Sequence, residues 1–201
     1  MAIPKMGELL AREIDRKILN ALLAGAGAGN VNWSYNAPAG DTTTADKNAY
    51  YQTLYHAIAL ANSYIATNKF RNADWLVMNF NTYYYFQRLE NYNVDPHAND
   101  QQAGMQRRYV GTLNGLYKVY LDPFFQDNTI LMGTRGDWLN STGYYAPYIP
   151  LYVSDKYIYS NDFSQFLKGV QSRYAYGVIP ETSTQSPAKN KGLATVTLVN
   201  S

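Results

Sequence analysis

Two histidines, no cysteines and a scatter of carboxylates are the residues of this 201-residue chain from which catalysis or metal binding would have to be built. A zinc or nucleophilic site needs them at fixed spacings, such as two histidines one helical turn apart or a serine on a strained elbow. His56 falls inside a segment with helical periodicity, and His97 follows Pro96 in a polar stretch; neither belongs to HExxH or HxH. No GxSxG or SxxK occurs. Without cysteine, disulfides, thiolate nucleophiles and zinc–thiolate centres are excluded. Asp95, Asp100, Asp122 and Asp127 stand near turn signals, where aspartate is common because it bonds its own backbone. The expectation is therefore no catalytic residue, no metal and no cofactor.

Recognition chemistry is richer. Twenty tyrosines offer apolar area with a polar tip, the property that enriches Tyr at interfaces. Tyr83-Tyr84-Tyr85-Phe86 and Tyr144-Tyr145 could stack on sugars or bases, or pack as core. Arg135-Gly136-Asp137 matches an adhesion tripeptide, although three residues recur by chance and a plain loop accounts for them. Seventeen basic residues against fifteen acidic leave a net charge of +2, too balanced for a phosphate-binding surface. The densest basic spots, Arg107-Arg108 and Lys189/Lys191, read as solvated faces. Only 16% of residues are charged, below the usual quarter, which points to extensive buried or partner-facing surface.

The elements that must position these groups follow from periodicity. Leu10, Ile14, Ile18 and Leu22 predict a helix over 8–24, with Glu8–Arg12 and Glu13–Lys17 as i,i+4 pairs and GAGAG at 25–29 as its stop. A polar stretch, 30–44, leads to a second helix over 46–68 capped by Asp46. DWLVMNF (74–80) predicts a buried strand, and Asn81 or Thr82 a cap for a short helix over YYYFQRLE. Residues 91–106 read as a surface loop. Asn114-Gly115 between Tyr109–Leu113 and Leu116–Leu121 predicts a hairpin with a type I′ turn. In its second strand Tyr117, Val119 and Leu121 share one face, and Asp122-Pro123 closes it. Strands are expected at 128–133, 143–153, 170–179 and 193–199, with 181–192 as a flexible linker. Helices first and strands later predict an α+β fold. The charged start MAIPKMGELLAREIDRK is no signal peptide, and no apolar run reaches membrane-spanning length.

Three segments in order, GTLNGLYKVYLDP (111–123), GYYAPYIPL (143–151) and SRYAYGV (172–178), resemble the major capsid protein of T-even-type tailed bacteriophages. DWLVMNF with its helix, and the 8–24 helix, resemble that family's strand–helix and spine helix more weakly. The resemblance implies a Hong Kong 97-type fold with a peripheral domain on the spine helix and an axial domain at the capsomer centre. Residues 1–45 would hold the spine helix and part of the peripheral domain. Residues 46–180 would hold the axial sheet and helices with the return to the periphery, and 181–201 a linker and short terminal strand. The implied partners are copies of itself in hexamers and pentamers, with scaffold, portal and decoration proteins. Packaged DNA would be held non-specifically and no membrane bound. The implied setting is the virion, with assembly in host cytoplasm. The family's N-terminal arm and extended loop find no counterpart ahead of Glu8. Within this frame the 133–142 loop is the expected inter-subunit contact, through Arg135, Asp137 and Trp138, since Trp and Arg are favoured at hot spots. The alternative reading is a monomeric, tyrosine-rich domain that binds carbohydrate or peptide.

Overall fold

The computed structural model describes residues 2–38, 40, 43–96, 108–136, 140–155, 157–158, 166–181 and 189–200. Its elements run α1 (Ala2–Ala24), β1 (Gly29–Ser34), α2 (Thr44–Lys69), β2 (Trp75–Met78), α3 (Phe80–Phe86), β3 (Tyr92–Val94), β4 (Arg108–Leu113), β5 (Tyr117–Leu121), β6 (Thr129–Gly133), β7 (Gly143–Val153), β8 (Tyr157–Ile158), β9 (Phe166–Leu167), β10 (Val170–Val178) and β11 (Leu193–Val199). The expected α+β class holds, although β1 and β2 interrupt the run of helices.

Several elements differ from expectation for local reasons. Helix α1 starts at Ala2 rather than residue 8, because Pro4 falls in the first turn, where an amide has no helical partner to lose. Its two i,i+4 ion pairs form, at 3.9 Å for Arg12–Glu8 and 2.7 Å for Lys17–Glu13. The cap of α2 is Thr43, not Asp46: Thr43 accepts the Asp46 amide while the Asp46 carboxylate takes the Thr43 amide, a reciprocal box. Asn79, not Asn81 or Thr82, caps α3, accepting the Thr82 amide at 2.9 Å, so the helix ends at Phe86. Strand β1 lies inside the expected polar stretch because Asn30 and Asn32 alternate with Val31 and Trp33, which are buried. Strand β3, within the expected loop, is too short to leave a period.

Seven strands form one sheet in the order β1-β11-β6-β2-β5-β4-β3. The β1–β11 and β2–β5 pairs are parallel and the other four antiparallel. Strands β1 and β11, near the two ends of the chain, therefore pair in the same sheet as β2 to β6. The hairpin appears as expected: Asn114 and Gly115 both have positive φ, and Tyr117, Val119 and Leu121 are buried. A bulge at Val110 lets Gly111 sit so close to β3 that an added Cβ would lie 2.2 Å from the Asn93 carbonyl oxygen.

Strand alternation divides the core. On one face Leu76, Met78, Val119, Ile130, Met132, Ala194 and Val196 meet the α2 residues Leu54, Ile58, Ala61 and Ile65. On the other, Val77, Leu131 and Leu193 meet Leu19, Leu22 and Leu23 of α1. Each central strand serves both cores, as period two requires. Helix α2 ends at Phe70, a bulky residue in the left-handed region (φ 56°, ψ 27°), where glycine is the usual choice and other residues cost about 1–2 kcal/mol.

Residues 189–192, placed in the expected linker, form a polar clasp (182–188 lie outside the described residues). Asn190 is fully buried; its side chain donates to the Ile179 carbonyl at 2.8 Å and accepts the Gly192 amide at 2.7 Å. Its backbone exchanges bonds with Gly25 and Gly27 just past α1. The Lys189 ammonium donates to the Ala24 and Ala26 carbonyls, closing the negative end of α1. Glu181 contacts Lys69 at the end of α2 and accepts the Lys191 amide at 3.0 Å. Asn190→Leu, near-isosteric, would orphan the buried Gly192 amide and the part-buried Ile179 carbonyl and should lower unfolding free energy by about 2–4 kcal/mol in urea titrations; a change below about 0.5 kcal/mol would contradict the clasp. Leu131→Ala, which empties the α1-side core, should cost about 2–5 kcal/mol by the same measurement.

Candidate functional site

The groups that might do chemistry are spread apart. His56 is exposed on α2, and His97 and Asp100 lie outside the described residues. Among the described residues no three His, Asp or Glu side chains gather as a metal site would require. Asp122 accepts the Phe124 amide at 2.8 Å, and Asp127 accepts from Asn79 and Asn81, so both serve turns. Burial raises the Tyr92 and Tyr117 hydroxyls above their ordinary range, with the Tyr83 hydrogen bond adding to the shift at Tyr92. That direction makes them less acidic, the opposite of an activated phenol. Burial likewise holds the Lys69 ammonium below its usual value. Tyr85 packs against Trp33, Tyr35 and Tyr51, and Phe86 is fully buried, so Tyr83–Phe86 is chiefly core. Arg88 lies over the Tyr51 and Tyr84 rings at 4.7 and 4.6 Å, and that stacking holds it on the α2–α3 surface.

The 133–142 segment joins β6 to β7. Its roots are fixed: the Arg135 amide donates to Asp74 at 2.7 Å, and Asp74 also pairs with Arg71 at 3.5 Å. Ser141 donates to the Gly136 carbonyl, and Thr134 to that of Asn140. Arg135 is exposed, while Asp137 and Trp138 lie outside the described residues.

The largest unpaired feature is one that periodicity concealed. Strands β7 and β10 pair with each other and with no strand of the main sheet. From Tyr144 to Tyr152 nearly every β7 residue is exposed on both faces, with Tyr148 at 79%, Leu151 at 54% and Tyr152 at 53%. A two-stranded ribbon has no core of its own and is marginal in water. Helix α1 supports its root: Leu22 fills the space beside Gly143, and Val178 packs at Gly25. One signal for this arrangement was present in the sequence. Pro147 and Pro150 within a single strand confine it to an edge, because neither can donate to a ladder.

Between α1, the α1-side face of the sheet and the ribbon's root lies a groove of about 560 Å³. Ile18, Leu19, Leu22, Trp75, Val77 and Tyr120 supply its apolar wall, and Asp74, Lys118 and Arg135 its charged part. The arrangement as a whole is a sheet body with an exposed aromatic ribbon.

Known proteins agree with this geometry. The sequence profile described as "Major capsid protein Gp23" matches residues 6–198. The major capsid protein of Enterobacteria phage T4 is 32% identical over 99 residues, 46% of this chain, and that of Enterobacteria phage T6 35% identical over 86 residues, 40% of it. These matches span only 18% and 16% of the relatives' own lengths. In structure, the virus-like particle from Pyrococcus furiosus is similar with a TM-score of 0.51, covering 96% of this chain and 64% of that one at 9% identity, a likeness of fold alone. With the profile matched along nearly its whole length, this chain belongs to the major capsid protein Gp23 family.

Proposed function

We propose that this chain is a structural, non-catalytic subunit of a bacteriophage capsid, located in the virion. It assembles with copies of itself into the hexamers and pentamers of an icosahedral shell around DNA. The carrying observation is the β7–β10 ribbon, on which Tyr148, Leu151 and Tyr152 stand exposed. The fold likeness to the Pyrococcus furiosus virus-like particle supports a shell-forming subunit, and on this reading the arrangement is Hong Kong 97-type, with α1 as spine, the ribbon as peripheral part and the seven-stranded sheet as axial domain. The near-neutral charge supports self-association, since copies repel one another weakly. It also fits DNA held loosely, without a basic groove. Scaffold, portal and decoration proteins are further partners of this reading. Assembly in the host cytoplasm follows from it too. The 133–142 loop, through Arg135, Asp137 and Trp138, is a second contact between neighbours.

Stable protein contacts bury about 1,200–2,000 Å² in all, and the ribbon is the surface long and apolar enough to supply a large share. Tyr148→Ser and Leu151→Ser alter exposed side chains, so thermal unfolding should shift by no more than about 2 °C each. Particle yield, read by sedimentation velocity and negative-stain microscopy, should fall about tenfold or more for the pair. A wild-type chain that stays monomeric at every concentration while saturably binding a glycan or peptide would overturn the proposal.

A further inference from the structure

We infer that Phe70 is a docking knob that seats in the groove between α1 and the sheet of a second copy of this chain. The identity of the partner rests on the capsid-subunit reading. Phe70 breaks two local rules at once. Its backbone is left-handed, where glycine or asparagine would be unstrained, and its amide bonds the Ala66 carbonyl to end α2. Its ring is 93% exposed, more than any other large hydrophobic side chain among the described residues. A residue that is locally unfavourable and almost wholly exposed points to a site whose partner lies elsewhere.

The groove has the chemistry to receive it. A cavity of about 150 Å³ lined by aliphatic and aromatic side chains accepts a benzene ring. At about 560 Å³, this one has room for a phenyl group with part of its backbone. Ile18, Leu22, Trp75 and Tyr120 provide apolar wall, and Lys118 and Arg135 add cations to the lining, a side-chain type that aromatic rings attract. Because the ring is so exposed, it does not fill its own chain's groove. Every copy thus offers both a knob and a groove. A contact of that kind repeats from copy to copy and closes into rings when the rotation allows.

The test separates the knob from the fold and from the wider reading. Phe70→Gly relieves the backbone strain, so its Tm should equal or exceed the wild-type value, while particle yield falls about tenfold or more. With p-benzoylphenylalanine replacing Phe70, irradiation of a mixture of isotope-labelled and unlabelled chains should cross-link position 70 of one copy to Trp75, Leu116 or Tyr120 of another. Particles that form at wild-type yield from Phe70→Gly, a clear fall in its Tm, or cross-links landing outside the groove would each overturn this inference. If particles form and depend on Tyr148 but not on Phe70, the knob alone is wrong. If the wild-type chain never assembles, the capsid-subunit reading fails and the knob goes with it.

Discussion

The insertion of β11 between β1 and β6 is the contact on which the rest of the molecule depends. Strand β11 pairs parallel with Gly29–Ser34 and antiparallel with Thr129–Gly133, joining chain segments some 165 residues apart. Alternation then sends Leu193 to the α1 face and Ala194, Val196 and Leu198 to the α2 face. Without β11, β1 would have no strand neighbour, and each helix would lose part of the apolar surface it covers. The clasp around Asn190 follows from the same placement, because it turns the chain into β11 directly against the end of α1. Such long-range pairing carries a loop-closure cost that local contacts must first offset, so β11 is expected to join late in folding.

The body fixed in this way explains how the ribbon can be tolerated. Two exposed strands hold together poorly alone, yet β7 and β10 are rooted where Leu22 meets Gly143 and Val178 meets Gly25, on a helix pinned by the α1-side core and by Lys189. Tyrosine suits strands in this position. Its ring gives the area that contact needs, and its hydroxyl stays hydrated while no partner is present. Tyr144 shows the internal use of the same residue: it lies against Gly177 on the paired strand, covering backbone that would otherwise be bare. The outer tyrosines, Tyr148 above all, have no such neighbour to cover.

Much of this was legible in the sequence where one local signal dominated. The Asn114-Gly115 turn, the alternation of Tyr117–Leu121 and the bounds of β7 and β11 follow from turn chemistry and period two. Signals failed where two groups competed for one role. Thr43 outcompeted Asp46 as a cap because the pair works reciprocally, and Asn79 outcompeted Asn81 because it begins the helix one turn earlier. Strand β1 was concealed by its outward asparagines, which bond each other and the Thr195 and Thr197 hydroxyls across the ladder. Which strands pair is a tertiary property, so the separation of the ribbon from the main sheet could be glimpsed only through Pro147 and Pro150. The site had the same limit: residue types pointed to contact rather than catalysis, but the loop singled out for it, around Arg135, is one exposed surface among several.

Phe70 shows why exposure and strain have to be read together. Exposed hydrophobics are ordinary singly, and a folded surface carries many of them. A left-handed residue is ordinary too when its side chain is small. An aromatic ring that does both gains nothing for its own exposed side chain from the fold, although its amide closes α2 on the Ala66 carbonyl, and that is why a partner is proposed for it. The ribbon differs: no non-glycine residue in it takes a positive φ, and it is the exposure of Tyr148, Leu151 and Tyr152 that sets it apart. A left-handed helix end and a strand pair both present exposed aromatic surface, on a body whose strands β2 and β6 are buried on both faces; on the proposed reading, that surface is what copies of the chain cover when they meet.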